Sequence, residues 1–278
     1  PKVYYRLCPE LKQGGRTAAG IPVYVQLLGS DPVLMAANAA VAAKLGAPGI
    51  DLNFGCPAKT VNKSRGGATL LRTPEAVYEI CSAVRDATPA AIPVTAKVRL
   101  GFDSDTQFEE IAEQALLSGI DELTVHARTK AQAYRPPAHW RRLQDIVNPL
   151  DIPIIANGEI WTPSDLFDCK EQSGCNAFML ARGALCRPDL ARAVHAYCTG
   201  DPIEPMTWPE VSQLLIDFFE ANGALYQRKY AINPLKQWLV YLQHCYPQAA
   251  ALFAQVKRIR DPDDMRHALL GATAAMAA

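Results

Sequence analysis

A cysteine on a predicted turn is the residue of this chain best placed to act on a ligand. Cys56 follows Asn53-Phe54-Gly55, and this segment leaves the apolar run 49–52. A short apolar run bounded by glycine and proline is typical of a strand followed by a turn, so the thiol would lie at the C-terminal end of a strand. The residues alone fit equally well with a buried structural cysteine.

Two cations end another apolar run. Lys97 and Arg99 follow Val94-Thr95-Ala96, and because they are two residues apart on a predicted strand they share one face of it. A partly buried cation needs an anionic or electron-rich partner. A flavin is such a partner, because its reduced ring carries negative charge that an ammonium stabilises. The alternative, a surface lysine that extends into solvent, is disfavoured after three apolar residues.

Two glycine-containing segments indicate a phosphate site. Asn157-Gly158-Glu159 and Ala181-Arg182-Gly183 end the last two predicted strands. In parallel barrels these strand ends commonly hold a phosphate through glycine amides and a helix N-terminus, and Arg182 is suited to a bidentate contact. The alternative is that the glycines only form turns. Gln26 and His126 end two other strands, where they would bond the edge of a ring or satisfy buried polar neighbours.

These residues need a scaffold that brings six strand ends together. Six apolar runs alternate with helical patterns, among them 32–45, which Asp31 is placed to cap, and 74–87, which Thr73 is placed to cap. This alternation is the signature of a parallel sheet with helical crossovers, and in a (β/α) barrel the C-terminal strand ends form the active site. The runs and the polar residues after them are 23–25 with Gln26, 49–52 with Asn53 and Cys56, 94–96 with Lys97 and Arg99, 123–125 with His126 and Arg128, 154–156 with Asn157 and Glu159, and 178–180 with Arg182.

The pattern changes near Gly200. Residues 201–205 predict a linker, and four helices are expected after it, at 208–221, 226–244, 249–258 and 262–272. We therefore expect a barrel domain over 1–200 and a small all-α domain over 201–278. Its basic and aromatic residues suit RNA phosphates and unpaired bases, although solvated helix faces with core aromatics are the more ordinary explanation. These residues are Tyr226, Arg228, Lys229, Tyr230, Lys236, Trp238, Tyr241, Lys257, Arg258 and Arg260.

The overall composition is that of an ordinary globular protein. Among 278 residues, 28 basic side chains balance 28 acidic ones, so the net charge neither favours nor excludes nucleic acid. Eight cysteines without the spacing of a disulfide framework favour a reducing cytoplasm, and no Cys-x-x-Cys pair suggests a metal. No apolar stretch is long enough to cross a bilayer. We expect a cytoplasmic monomer without a metal.

Six motifs in the family's order make the chain resemble the tRNA-dihydrouridine synthases, most closely the bacterial C subtype. The resemblance covers residues 20–190, and Lys236-Gln237-Trp238-Leu239 resembles the helical RNA-binding domain of that family. It implies an α/β fold with a (β/α)8 TIM-type barrel that binds FMN. The six motifs are Val25-Gln26-Leu27-Leu28-Gly29, Asp51-Leu52-Asn53-Phe54-Gly55-Cys56-Pro57, Lys97-Val98-Arg99-Leu100-Gly101, His126-Ala127-Arg128-Thr129, Ile155-Ala156-Asn157-Gly158-Glu159-Ile160 and Ala181-Arg182-Gly183-Ala184.

The resemblance also implies a role for each matching residue. NADPH would reduce FMN, the flavin would give a hydride to carbon 6 of a uracil, and Cys56 would give a proton to carbon 5, so the thiol must stay protonated. The uridine must first turn out of the folded tRNA, and the C-type resemblance implies position 16 of the D-loop. Cofactor binding is implied for Gln26, Lys97, His126, Asn157, Gly158, Glu159, Ala181, Arg182 and Gly183, and tRNA binding for Asn53, Arg99, Arg128, Lys236, Tyr241 and Lys257.

The chain departs from the family pattern in two places. The barrel of the family has eight strands and this sequence predicts six, so we expect a chain without the two N-terminal strands, whose open sheet edges would weaken FMN binding and stability. Ala181 replaces a glycine but keeps its backbone amide. Two alternatives stay open: an FMN barrel oxidoreductase that acts on a small molecule, such as a dihydroorotate dehydrogenase or an ene-reductase, and a flavin-free protein that binds tRNA.

Overall fold

The chain folds into two compact units. The computed structural model describes residues 2–201, 203–225, 227 and 230–274. One unit comprises Pro1–Glu159 and Phe167–Met179, and the other comprises Ile160–Leu166 and Leu180–Ala278.

The first unit is built on a six-stranded parallel sheet. Its strands pair in chain order, from the first to the sixth, and each consecutive pair is parallel. Helices alternate with the strands, which confirms the predicted TIM-type α/β architecture. The strands are β1 (Val25–Leu27), β2 (Ile50–Asn53), β3 (Val94–Arg99), β4 (Glu122–His126), β5 (Ile154–Asn157) and β6 (Ala177–Met179).

The strand pairing separates an apolar face from a polar face. Leu52 pairs with Ala96, and Ala96 pairs with Leu123, so these side chains form one row. All three are fully buried, and α2 and α4 pack on these strands. Because side chains alternate between faces along a strand, the residues next to this row point to the opposite face. Most of the predicted site residues are there.

The helices of the first unit begin where the sequence provides a starting signal. Asp31 precedes α2, and its carboxylate accepts a hydrogen bond from the Leu34 amide at 3.0 Å, which confirms the predicted cap. The predicted side-chain cap at Thr73 is wrong, because its backbone carbonyl accepts from the Ala76 amide instead. The helices are α1 (Lys2–Leu7), α2 (Pro32–Lys44), α3 (Lys59–Lys63), α4 (Pro74–Ala87), α5 (Phe108–Leu117), α6 (Gln144–Val147) and α7 (Pro163–Ser173), the last with residues in both units.

The second unit is helical in its described part. The four predicted C-terminal helices are present, but the second begins at Asn233 rather than at 226. Pro234 lies in its first turn, where proline is favoured because it has no amide hydrogen to leave unpaired. Trp208, Leu235 and Leu252, from three different helices, share one hydrophobic core. The helices are α8 (Arg182–Cys186), α9 (Leu190–Thr199), α10 (Trp208–Leu225), α11 (Asn233–Leu242), α12 (Pro247–Val256) and α13 (Pro262–Ala274). Within the described residues, none of the helices has both the length and the apolar character needed to span a membrane.

Candidate active site

Polar side chains from neighbouring strands meet on the face of the sheet opposite the apolar row. Lys97 pairs with Asn53 across β2 and β3, and Arg99 pairs with His126 across β3 and β4. His126 in turn pairs with Asn157 on β5. The sequence predicted these groups at the C-terminal ends of the strands, and they are strand residues. Their side chains are therefore held by the sheet itself and not by flexible loops.

A hydrogen-bonded chain orients Gln26 and Asn53. The Gln26 amide donates to Asp51 at 2.7 Å and accepts from the Asn53 amide at 3.0 Å. Asp51 also accepts from the Thr95 hydroxyl at 2.8 Å, and the Asn53 oxygen accepts from the Gly55 amide at 3.0 Å. These bonds fix which end of each amide carries the donor. Gln26 remains exposed, so its remaining hydrogen is available to a ligand.

Asp51 is a site residue that the sequence argument did not use. Burial raises the pKa of its carboxyl, while the hydrogen bonds from Gln26 and Thr95 and the charge of Lys97 act in the opposite direction. Its signal was a charged residue inside the apolar run 49–52. A carboxylate inside such a run needs partners when the strand is buried, and the network supplies them.

Lys97 is a half-buried cation whose ammonium has a polar partner among the described residues. Its ammonium donates to the Asn157 side-chain oxygen at 2.9 Å, and the Asn157 amide donates to the Met179 carbonyl at 2.8 Å. Burial lowers the pKa of Lys97 from 10.5 to about 8; the charge of Arg99 adds to this effect and that of Asp51 opposes it. An anion placed beside the ammonium would relieve this cost. Lys97 is thus suited to bind a negatively charged group.

Arg99 holds the turn that precedes the candidate cysteine. Its side chain is 2% exposed, and its Nε donates to the Gly55 carbonyl at 2.8 Å. One terminal nitrogen donates to the Thr129 and Ala133 carbonyls, and the guanidinium lies 5.4 Å from the centre of the Tyr134 ring. In this conformation Arg99 holds the backbone at Gly55 and at 129–133 through hydrogen bonds to their carbonyls. Its contact with tRNA stays a prediction.

The Cys56 turn is fixed by its neighbours in the chain. Asn62 donates to the Cys56 carbonyl at 2.9 Å and to the Gly66 carbonyl at 3.1 Å, and the Ala68 amide donates to the same Cys56 carbonyl at 3.1 Å. Cys56 is half-buried and carries a free thiol. The residue is therefore not sealed in the core, and its backbone position is determined by these bonds.

Gly67 packs directly against Cys56, and this contact makes a testable prediction. It has a φ of +60°, and a Cβ there would lie 2.9 Å from both the Cβ and the carbonyl oxygen of Cys56. Gly67→Ala is expected to lower the free energy of unfolding. The loss should be about 1–3 kcal/mol larger than the loss from a Gly→Ala substitution at a glycine with a similar positive φ and no neighbouring atoms. Gly46→Ala is the matched control, because Gly46 has a φ of +85° and no atom within 4 Å. Equal losses in denaturant unfolding would contradict the contact.

His126 and Arg128 lie with the Asn157-Gly158-Glu159 turn. One terminal nitrogen of Arg128 is 3.1 Å from His126 Nε2, and the other is 2.7 Å from a Glu159 oxygen. Gly158 approaches the ring closely, because a Cβ at this position would lie 2.9 Å from His126 Cδ2. Arg128 is fully buried. Its guanidinium is enclosed by protein groups, and its contact with tRNA stays a prediction.

Three predicted phosphate-binding residues belong to the second unit. Ala181 precedes α8, the Arg182 guanidinium lies 5.0 Å from the centre of the Trp161 ring, and Gly183 packs against the backbone of Ile160. A Cβ at Gly183 would lie 2.2 Å from the Ile160 carbonyl oxygen, so only glycine fits. The role of these residues in phosphate binding stays a prediction.

The predicted tRNA-binding residues of the second unit differ in their surroundings. The Lys236 ammonium donates to the Lys257 and Ile259 carbonyls at 3.1 and 2.5 Å, so it ties α11 to the end of α12. Burial lowers the pKa of Lys236, with a further contribution from Arg260. Lys257 is exposed and Tyr241 is half-buried. Tyr226, Arg228 and Lys229 lie outside the described residues.

The donor set of the polar face fits a flavin better than a metal. Neutral amides, an imidazole and a buried ammonium come from neighbouring strands, and Gly158 leaves room for close approach. Such groups suit the carbonyl and nitrogen edge of a planar ring that carries negative charge. In the part of the chain that the structure describes, no three His, Cys, Asp or Glu side chains are grouped to hold a metal ion.

The family model and the similar proteins that match this chain agree on one family. The family model described as dihydrouridine synthase matches residues 2–277. A protein of Pseudomonas putida named tRNA-dihydrouridine(16) synthase is 52% identical over 92% of this chain and 79% of its own length. One from Vibrio cholerae with the same name is 48% identical over 92% of this chain and 78% of its own length. Among solved structures, a dihydrodipicolinate synthase family protein from Coccidioides immitis is 16% identical over 88% of this chain and 79% of that chain, with a TM-score of 0.46, which is too low to support an argument.

Proposed function

This chain belongs to the dihydrouridine synthase family, and from that membership we propose that it is an FMN- and NADPH-dependent enzyme that reduces a uridine of tRNA, at position 16 of the D-loop, to dihydrouridine. The family match over residues 2–277 carries the proposal. The substrate position is supported by relatives up to 52% identical that are named tRNA-dihydrouridine(16) synthase. We propose a cytoplasmic location for the same reason, because the substrate tRNA is cytoplasmic.

The polar face of the sheet is the proposed cofactor site. Bound FMN would supply the hydride for carbon 6 of the uracil after NADPH has reduced it. Lys97 would neutralise the negative charge of the ring, which its own buried position favours. Gln26, oriented by Asp51, and His126 would donate hydrogen bonds to the edge of the ring. The Asn157 side chain would keep the Lys97 ammonium in place.

Cys56 is the proposed acid that protonates carbon 5 of the uracil. Its thiol is half-buried, and the backbone on both sides is held, by Arg99 at Gly55 and by Asn62 at Cys56. A general acid must be positioned within hydrogen-bond reach of the atom it protonates. The bonds to the turn limit the range of sulfur positions. Because Arg99 bonds the carbonyl that precedes Cys56, it acts on the acid through the backbone.

Residues 201–278 are the proposed tRNA-binding domain, with the preceding residues as the catalytic domain. Three basic residues near the end of α12, Lys257, Arg258 and Arg260, have exposed side chains. Exposed Lys and Arg can bind phosphates without base specificity. In contrast, Lys236 would act by fixing the end of α12, since its ammonium already donates to two carbonyls of that segment.

An assay on defined substrates tests this proposal. Purified protein supplied with FMN and NADPH is expected to form dihydrouridine in an unmodified tRNA transcript, and nuclease mapping with mass spectrometry is expected to place it at position 16. A transcript with cytidine at position 16 is the matched control and should stay unmodified. Reduction of uracil or orotate in preference to tRNA would replace the proposal with a small-molecule oxidoreductase. Colourless protein that binds tRNA but takes up no FMN would replace it with a flavin-free tRNA-binding protein.

A further inference from the structure

The buried guanidinium of Arg128 has three kinds of contact, and none of them is with solvent. Its Nε donates to the Arg135 carbonyl at 2.7 Å. One terminal nitrogen lies 3.1 Å from His126 Nε2, and the other forms an ion pair with Glu159 at 2.7 Å. The side chain is 0% exposed. A buried guanidinium is costly unless its charge is balanced. Glu159 balances the charge through an ion pair at 2.7 Å, although the Arg128 nitrogen of this pair makes no contact with hydrogen-bond geometry.

The contact with His126 has only one consistent arrangement of hydrogens. Arginine has donors but no acceptor, and it stays protonated at every physiological pH. His126 Nε2 must therefore be the acceptor and carry a lone pair. A neutral imidazole has one N–H group, so the hydrogen is on Nδ1. A proton on Nε2 would place two donors 3.1 Å apart in the interior, and protonation of both ring nitrogens would in addition place two positive charges there.

Four other groups among the described residues lie next to His126 or pair with it. Arg99 on β3 pairs with His126 and carries a second positive charge. The nearby carboxylate, Glu159, is already paired with Arg128. The Tyr134 ring lies 6.1 Å from the imidazole, centre to centre, and Gly158 contacts the Cδ2 and Nε2 edge of the ring. The edge with Nε2 is thus the one enclosed by Arg128 and Gly158.

We propose that Arg128 is a positioning residue that holds His126 as the neutral tautomer with its hydrogen on Nδ1, and that this hydrogen is donated to an acceptor atom of the cofactor ring. The first part concerns only this chain, whereas the second rests on the proposed function. The same guanidinium restrains the turn at 157–159, because it pairs with Glu159, whose φ of +56° is unusual for a residue other than glycine. Arg128 thus connects the imidazole to the turn beside it.

Nitrogen-15 NMR of the histidine rings tests the tautomer. In the protein with FMN at about pH 7.5, His126 is expected to show an unprotonated Nε2 and a protonated Nδ1. The signals are assigned by their loss in His126→Gln. A hydrogen on Nε2 would overturn the proposal. The wild-type spectrum decides this point even if an Arg128 variant does not fold.

Arg128→Lys tests whether Arg128 is the cause. A lysine keeps the charge but cannot contact His126, Glu159 and the Arg135 carbonyl together, so the tautomer preference is expected to be lost and FMN to bind about tenfold more weakly. Arg141→Lys is the control, since Arg141 is exposed in the same unit, and it should match the wild type in both measurements. An unchanged His126 spectrum in Arg128→Lys would overturn the assignment. Wild-type protein that takes up no FMN would instead refute the proposed function and leave the tautomer result standing.

Discussion

Cys56→Ala is expected to abolish dihydrouridine formation while FMN and tRNA still bind. The substitution removes only a sulfur atom from a half-buried residue, and the turn is held by backbone contacts with Asn62, Ala68 and Arg99 through Gly55, none of which needs the thiol. Loss of a positioned general acid typically lowers the rate by about 10²–10⁴-fold. Single-turnover formation of dihydrouridine at saturating tRNA would measure this decrease.

The control for this prediction is the same substitution at a cysteine outside the candidate site. Cys198 is exposed on α9 of the second unit, and Cys198→Ala is expected to keep the wild-type rate. Flavin absorbance and a tRNA gel shift would show whether Cys56→Ala still binds both ligands. A Cys56→Ala protein that turns over within a factor of about three of the wild type would refute the acid assignment.

Lys97→Met is expected to have opposite effects on FMN binding and on the stability of the cofactor-free protein. Methionine has a similar length but no charge, so the negative ring loses its buried partner, and FMN affinity should fall by about 10²-fold. Without FMN, the burial of the wild-type ammonium is unfavourable, and it lowers the pKa of Lys97 from 10.5 to about 8. This shift corresponds to at most about 3 kcal/mol of unfolding free energy.

The pH dependence of that stability difference has a definite sign. Between about pH 8 and 10.5 the unfolded chain holds a proton on Lys97 that the folded chain has released, so wild-type stability rises with pH in this window. Below pH 8 both forms are protonated and the full cost is present. Lys97→Met should therefore be more stable than the wild type at pH 7, and its advantage should disappear by pH 10.5.

Denaturant unfolding of the cofactor-free proteins at several pH values measures this difference. Lys44→Met is the control, since Lys44 is exposed at the end of α2, and its difference from the wild type should not change through the window. A Lys97→Met protein that is less stable than the wild type at pH 7, or whose difference does not depend on pH, would show that the ammonium is not unfavourably buried.

Much of the scaffold could be predicted because local sequence determines it. The apolar run 94–96 predicted β3, and the Asp31-Pro32 pair predicted the start of α2. The shared face of Lys97 and Arg99 followed from the two-residue repeat of a strand. Gln26 was expected to end its strand, and it is the middle residue of β1. The strand continues by one residue because Leu27 extends it as well as Val25 does.

The partners of the buried arginines could not be predicted from the sequence. Arg99 bonds carbonyls of Gly55, Thr129 and Ala133, which are up to 44 residues away along the chain. Any residue type supplies such a carbonyl, so no motif announces it. From the sequence, Arg128 was a basic residue at the end of a strand, and such a residue predicts a ligand contact. Nothing in the sequence indicated that its guanidinium is enclosed by protein groups.

Lys236 illustrates the same limit in the helical unit. Its basic neighbours predicted an RNA-binding surface, whereas its ammonium donates to the carbonyls that follow α12. Only the packing of α11 beside the end of α12 brings these groups together. Asp51, in contrast, was detectable, because a carboxylate inside an apolar run is uncommon without a structural or functional partner.

The most direct test of the proposed chemistry is a single-turnover experiment with pre-reduced protein. The FMN-loaded protein is reduced with NADPH, freed of nucleotide without oxygen, and mixed with unmodified tRNA while flavin absorbance is followed. We expect the absorbance of oxidised flavin to return together with one dihydrouridine per flavin, at position 16, and not to return with the transcript that has cytidine there. Flavin that stays reduced in the presence of tRNA but is oxidised by a free pyrimidine would contradict the account.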